Sequence, residues 1–299
     1  MLENNSNRLI FAAIAVVVGV AIAGTAHAAF PQATNTLVEK VKSFTDDKDY
    51  SKLSYSYYDS NKTATVTGFA SGQFNSNLVV PKTTEKDGTS YTVTGIGVKA
   101  FQSDNDSSPA KKSHISSIDL PNTITTIGDS AFYGNEINNI VLPSSITSIG
   151  NYAFAYNKAT KLSLPEHLNS MGNNAFSNNK ISDIVIPNSL STIPNSAFAY
   201  NSSNSVTIPN SVTQIGDFAF DSLSATNVVI PDSVVKIGTG SFQDNDKLTS
   251  LYISNKLTEI SESAFNGSTS LQKVDIPNSV TKIDNYAFYN HNINKDTVN

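Results

Sequence analysis

Apolar side chains fall in fixed rows from Ile115 to the end of the chain. One turn of the pattern reads Ile137-Asn138-Asn139-Ile140-Val141-Leu142-Pro143-Ser144-Ser145-Ile146-Thr147-Ser148-Ile149-Gly150-Asn151-Tyr152-Ala153-Phe154. Pro121, Pro143, Pro165, Pro187, Pro209 and Pro231 stand 22 residues apart, and the period then lengthens to 23, with Ser254 in the proline slot before Pro277. A fixed period of roughly 20 to 50 residues marks a solenoid. Six, three and one residues before the proline stand Ile, Leu or Val, as in Ile181, Ile184 and Ile186, although Ala159, Ser203 and Ala225 weaken the first row. The spacing predicts a short strand that ends at the proline, which cannot donate to a ladder. Leu190 and Ile193 follow the proline, then Ala197 and Phe198, and the last of these belongs to an unbroken spine: Phe101, Phe132, Phe154, Phe176, Phe198, Phe220, Phe242, Phe265 and Phe288. No single unit encloses such rings. Stacked units do, at about 1.5–3 kcal/mol for each large side chain fully buried.

Two polar rows accompany the spine. Gly128, Gly150, Gly172, Gly216 and Gly238 occupy the seventh place after the proline, where Pro194, Ser261 and Asp284 are exceptions, and the row predicts a positive φ there. Asn135, Asn157, Asn179, Asn201 and Asn245 lie three residues after the phenylalanine, a row interrupted by Leu223, Ser268 and His291. An asparagine there is expected to donate to and accept from the backbone of the coils above and below.

Upstream the pattern is irregular. Leu53 to Tyr57 and Thr63 to Thr67 alternate in the strand manner about Asp59-Ser60-Asn61-Lys62 and predict a hairpin. Leu78-Val79-Val80-Pro81 opens the first unit, but a nine-residue insert separates it from Gly95 to Phe101; Asp87-Gly88 in that insert predicts a second hairpin between Thr83–Glu85 and Tyr91–Val93. Another insert of nine lies within Gln102 to His114. Leu37, Val38, Val41 and Phe44 share one face at helical spacing with Asn35 as N-cap, so a helix over 36–44 is expected to cover the open end of the solenoid. The expected organisation is a signal peptide at 1–28, a helix-and-hairpin cap at 29–77, and a solenoid of about nine repeats at 78–299.

Composition narrows the function. Apolar residues are 39% and charged residues 15% of the chain, and the net charge of −5 argues against broad attraction to nucleic acid or anionic lipid. With no tryptophan, and with Arg8 the only arginine, tyrosine is the one interface hot-spot type left after the leader. Cysteine is absent, so the fold needs no disulfide. The leader itself is an apolar run from Leu9 to Ala23 followed by Ala26-His27-Ala28, suited to cleavage before Ala29. That run is shorter than the roughly 20 residues that span a bilayer. The expected location is therefore secreted or cell surface, with an uncleaved anchor as the alternative. His114, His167 and His291 have no cysteine or paired carboxylate at metal or catalytic spacing, and no nucleotide-binding or hydrolase motif is present, so neither an enzyme nor a cofactor is expected. Asp104-Asn105-Asp106 and Asp244-Asn245-Asp246 read as turn caps rather than calcium sites.

The phrase Leu/Ile-x-x-Leu/Ile-x-Leu/Ile-Pro-x-x-Leu/Val-x-x-Ile-Gly-x-x-Ala-Phe resembles the BspA-like class of leucine-rich repeats over about residues 53–299. Family members often have cysteine in the asparagine row and 23-residue units. The resemblance implies a right-handed solenoid of the β-rich α/β class, with a parallel sheet on one face and short turns, 3-10 or one-turn helices on the other. It also implies a role in adhesion or recognition outside the cell. An extracellular protein or glycan is the expected partner, with no nucleic acid and no small-molecule substrate.

Three surfaces offer contacts. On the sheet face, Asp119, Tyr252 and Asp275 project two residues before the proline slot, and Lys161, Asp183 and Lys273 four before it. Strand propensity is the competing account of that face. In the turns, Tyr133, Tyr152, Tyr156 and Tyr200 flank the spine, either packed over it or exposed as an aromatic strip. Lys111 and Lys112 lie in the second insert. Ile293 to Val298 reads as the start of another strand whose edge invites self-association, and a structural role in the envelope is the alternative function.

Overall fold

The computed structural model describes residues 50–103 and 114–290. The leader, the helix expected over 36–44, Lys111 and Lys112, and the segment 293–298 lie outside these residues. Strands β1 (Leu53–Tyr58) and β2 (Thr63–Phe69) form the first antiparallel hairpin. Strand β3 (Asn77–Val79) opens the first coil, and β4 (Thr83–Lys86) with β5 (Thr89–Ile96) forms the second hairpin inside it. Asp87 and Gly88 both have positive φ, 51° and 74°, the geometry that an Asp-Gly hairpin turn supplies. β2 also runs parallel to β5, and the end of β5 pairs with Thr126–Ile127, so the hairpins continue directly into the repeats.

Each coil carries two strand segments. Ser117–Asp119, Asn139–Val141, Lys161–Ser163, Asp183–Val185, Ser205–Thr207, Asn227–Val229 and Ser250–Tyr252 precede the proline slot and lie parallel to their neighbours, in a register that sets Lys161 opposite Asn139. Lys273 to Asp275, expected on this face, are not in a strand. A second parallel face, not anticipated from sequence, is built of two-residue segments such as Ser148–Ile149, Ser170–Met171, Gln214–Ile215 and Lys236–Ile237. The side opposite consists of turns, and the described residues contain no 3-10 or one-turn helix. The reason is where the turn N–H groups go: Tyr152, Phe154 and Tyr156 donate to the carbonyls of Asn173, Ala175 and Ser177 in the next coil, at 2.8–3.0 Å. Bonds between coils take the place of the bonds a helix would make within one.

The phenylalanine rings stack along the middle of these coils with centroids 5.0–5.8 Å apart and planes within 22°. Near-parallel rings at that separation are offset, the arrangement that aromatic quadrupoles favour. From Phe132 to Phe265 each ring is fully buried. Phe69, at the end of β2, closes the stack with its ring 5.0 Å from Phe101 at 68°.

The asparagine row bonds in one direction. Asn157 Oδ1 accepts from the Ile137 N–H at 3.1 Å, while Nδ2 donates to the Phe132 carbonyl at 2.9 Å and to that of Phe154 at 3.1 Å. Its partners are thus the preceding coil and its own, not the coils on both sides. Asn179 and Asn201 repeat the arrangement. At Asn245, after Leu223 has interrupted the row, Nδ2 still reaches the Phe220 carbonyl, but Oδ1 has no partner.

The glycine row does not have positive φ, contrary to the expectation from sequence. Its cause is close approach. A Cβ on Gly172 would lie 2.3 Å from Asn151 N and 2.5 Å from the Gly150 carbonyl carbon, and Gly128, Gly150, Gly216 and Gly238 are equally confined.

Two substitutions test this frame by thermal and chemical denaturation. Phe176→Ala, in the middle of the stack, is expected to cost about 3–5 kcal/mol. Gly172→Ala should lower the melting temperature more than Gly72→Ala, although only Gly72 has a positive φ, because a Cβ on Gly72 meets nothing within 4 Å.

Candidate functional site

Positive φ falls two residues after the glycine slot and again four residues later. The first row includes Ser130, Tyr152, Asn174, Ser196 and Phe218, and the second Tyr156, Asn178, Tyr200, Ser222 and Asp244. A left-handed conformation costs an ordinary L-residue roughly 1–2 kcal/mol, and Asn, Asp and Gly tolerate it best. Tyr152, Tyr156 and Tyr200 adopt φ of 55°, 57° and 58° and are 41%, 50% and 54% exposed. Neither core burial nor turn preference accounts for three tyrosines there. Tyr133, half-buried, lies between two of them, its ring 5.2 Å from Tyr156 and 6.5 Å from Tyr152. The aromatic strip is therefore solvent-facing at three of its four members.

Beside it runs a second Asx ladder, on the surface. Asp129 Oδ1 accepts the Asn151 N–H at 2.8 Å, Asn151 Oδ1 that of Asn173 at 2.8 Å, Asn173 Oδ1 that of Asn195 at 3.1 Å, and Asn195 Oδ1 that of Asp217 at 2.9 Å. The ladder depends on the glycine row. A Cβ on Gly150 would sit 2.4 Å from Asp129 Oδ1, and one on Gly216 2.5 Å from Asn195 Oδ1. Lys99, Asp129, Asn151, Tyr152, Asn173 and Asn195 contribute to the lining of an open groove of about 590 Å³. Sequence reading missed this row, yet the signal is there: an Asx directly follows the glycine slot in coil after coil, as in Gly150-Asn151 and Gly172-Asn173.

The sheet face is more regular than its sequence suggested. Asn139-Ile140-Val141, Asp183-Ile184-Val185 and Asn227-Val228-Val229 recur every 44 residues, which leaves an exposed valine on alternate strands. Asp183 accepts from Ser205 Oγ and Ser182 Oγ at 2.8 Å each, and these bonds hold its carboxyl below the usual range. The Tyr252 hydroxyl donates to Asp232 at 3.2 Å and accepts from Asn255 Nδ2 at 2.9 Å, so this phenol is tied down. Lys273 pairs with Asp275 at 3.1 Å, while Asp119 and Lys161 are exposed. The candidates thus do not converge. The turn tyrosines gather, whereas the sheet-face residues stay strung out along the strands.

His114 Nδ1 lies 3.1 Å from Ser103 Oγ, and His167 is exposed. Among the described residues no cluster of three or more His, Cys, Asp or Glu is placed to hold a metal ion, and no helix is long and apolar enough to cross a membrane.

The apolar strand pattern before the proline slot, repeated every 22–23 residues and stacked in parallel over an apolar core, is that of a leucine-rich-repeat solenoid. The chain belongs to the BspA-type leucine-rich repeat family: the family model, described as a BspA type leucine rich repeat region (6 copies), matches residues 89–205 and 172–294. A leucine-rich cell surface protein from Faecalibacterium prausnitzii has a similar fold, with TM-score 0.53 and 21% identity over 80% of this chain and 84% of that one. A leucine-rich repeat protein from Bacteroides ovatus aligns with TM-score 0.42 and 21% identity over 80% of this chain and 88% of that one. The pneumococcal vaccine antigen PcpA aligns with TM-score 0.47 and 18% identity over 78% of each chain. No curated protein matches the chain.

Asp221 is a buried carboxyl at the edge of the tyrosine strip. Burial raises its pKa, against the opposing effect of hydrogen bonds from Ser222 Oγ at 2.9 Å and from the Tyr200 hydroxyl. The folded state therefore holds this proton more tightly than the unfolded chain does. The stability it contributes is complete below the unfolded carboxyl range and is lost as pH rises through the folded pKa. Asp221→Asn keeps an acceptor for both hydroxyls and is expected to raise the melting temperature at pH 7, with a gain that shrinks toward the unfolded carboxyl range in a melting series across pH.

Proposed function

We propose that the protein acts outside the cell, secreted or surface-exposed, as an adhesin-like interaction protein that binds a host protein, matrix component or glycan through its repeats. The observation that carries this reading is the set of exposed tyrosines at positive φ, a conformation that Gly, Asn and Asp tolerate best. Tyrosine brings large contact area at low side-chain entropy cost, which is why it recurs at binding surfaces. Membership of a repeat family supports interaction rather than catalysis. The signal peptide expected at 1–28 from the apolar run and Ala26-His27-Ala28 supports an extracellular location.

The immobilised protein is expected to retain at least one member of a panel of matrix proteins, mucins and glycans. The Tyr156→Asn protein should lose most of that retention with its melting temperature held, because Asn178 already occupies the equivalent turn position of the next coil. Retention of nothing by the parent protein would overturn the reading.

A second reading, self-association, is favoured by the last described coil. Ile283, Tyr286 and Tyr289 are 50–60% exposed, and the rings of Tyr286 and Tyr289 meet edge-on at 5.5 Å, an apolar patch at one place on the coil. Sedimentation velocity over a hundredfold range of concentration tests it: dimers or larger species support the reading, and a monomer throughout excludes it.

A further inference from the structure

The groove over the surface Asx ladder combines three properties that point to one kind of ligand. The first is a row of donors that the fold does not use. The ladder needs only one acceptor oxygen per coil, and Oδ1 supplies it. The Nδ2 atoms of Asn173 and Asn195 are left with no protein acceptor among the described residues, and Asn151 Nδ2 makes only a 3.4 Å contact with Asp129 Oδ2. One such side chain per coil gives a step of about 4.8 Å, and the three from Asn151 to Asn195 span about 10 Å along the solenoid.

The second property is charge balance. Lys99 and Asp129, of opposite sign, are the charged residues of the lining, and the remainder is amide, hydroxyl, aromatic or aliphatic. A phosphate or sulfate polymer, or an acidic polysaccharide, would meet one cation already offset by a carboxylate.

The third is Tyr152, which lines the same groove from a left-handed position. The equivalent residues of the coils on either side are Ser130 and Asn174. A ring that is 41% exposed and held at φ 55°, against its own backbone preference, breaks a local rule for a single edge contact with Tyr133 at 6.5 Å. Such departures gather at functional sites. A ring face offers an apolar platform, and the amides beside it offer donors to hydroxyl and ether oxygens. A chain of sugars presents both surfaces, apolar C–H faces and hydroxyl edges, at the same time. The groove volume of about 590 Å³ is in the range of ligand-binding clefts and suits a short segment of such a chain.

We infer that this groove binds a neutral polysaccharide, with Tyr152 stacking on a sugar face and Asn151, Asn173 and Asn195 donating to its hydroxyls. The inference rests on the interaction role proposed above and narrows it to one site and one ligand class.

The test is affinity electrophoresis of the full chain through gels containing a β-glucan, a mannan, a galactan or a xylan, with heparin and polygalacturonate as charged comparisons. Calorimetric titration with a hexasaccharide of the retarding polymer follows. At least one neutral polymer is expected to retard the protein, and the charged polymers are not. Tyr152→Asn removes the ring and relieves the backbone, so binding should fall about tenfold or more while the melting temperature holds or rises. Asn173→Asp keeps the Oδ1 that accepts the Asn195 N–H but removes the donor, so binding should again fall about tenfold with stability retained. Failure of every neutral polymer to bind overturns the inference, as does wild-type affinity in either variant or equal retardation by heparin. If matrix proteins are retained while every neutral polymer fails, the broader interaction role stands and only the glycan site is lost.

Discussion

Everything in this molecule follows from the need of each coil to satisfy its backbone against the next. A 22-residue coil has no helix and only short strands in which to pair its own N–H and C=O groups. The two-residue strand face donates back to the preceding coil, as Gly150 N does to the Ile127 carbonyl, and the turns donate forward, as Phe154 N does to the Ala175 carbonyl; the face before the proline slot does both, Ser182 N to Thr160 and Ile186 N to Thr207. Leaving such a group unpaired inside the stack would cost about 1–3 kcal/mol. That penalty fixes the spacing of the coils, and the spacing decides the side chains. Phenylalanine stacks at 5.0–5.8 Å, glycine stands where backbones nearly touch, and asparagine supplies a donor and an acceptor where the main chain of the turn lacks partners.

Much of this is written in the sequence because it repeats. The spine phenylalanines, the proline slot and the two hairpins of the opening residues are legible from spacing and turn chemistry alone, Asp87-Gly88 most directly. What escaped is instructive in physical terms. The second strand face escaped because two residues, such as Ser148–Ile149, are too short to display an alternation. The glycine row was visible, but periodicity reports only that a residue is required. Positive φ and close approach leave the same mark in a sequence, and only the positions of the neighbouring atoms separate them.

The site was harder to see for a related reason. Two asparagine rows run through the repeat, one buried at Asn157 and Asn179 and one exposed at Asn151 and Asn173. In sequence they look alike. In the fold the first uses its oxygen and its nitrogen on backbone groups, whereas the second uses its oxygen and leaves most of its nitrogens to solvent. The tyrosines were legible as residues beside the spine, but whether they packed over it or faced out depended on turn dihedrals that no local pattern specifies.

Those dihedrals give the argument for function its force. A repeat protein multiplies each local choice by the number of its coils, so an unfavourable residue in a repeated slot is readily replaced by the residue that its neighbours use. Slots holding Ser130, Asn174 and Ser196 in three coils hold Tyr152, Phe218 and Tyr286 in others, and those holding Asn178, Ser222 and Asp244 hold Tyr156 and Tyr200. Each tyrosine forgoes about 1–2 kcal/mol that a turn-forming residue would have spared. Burial and the contacts with Tyr133 and Asp221 return only part of it, because the three rings are 41–54% exposed. Stability of a solenoid is close to a sum over coils and their interfaces, so a local loss stays local and a long stack tolerates it. The fold can therefore hold strained aromatic residues on one stretch of its turns without endangering the rest, and a ligand that meets those rings is what would make the strain worth keeping.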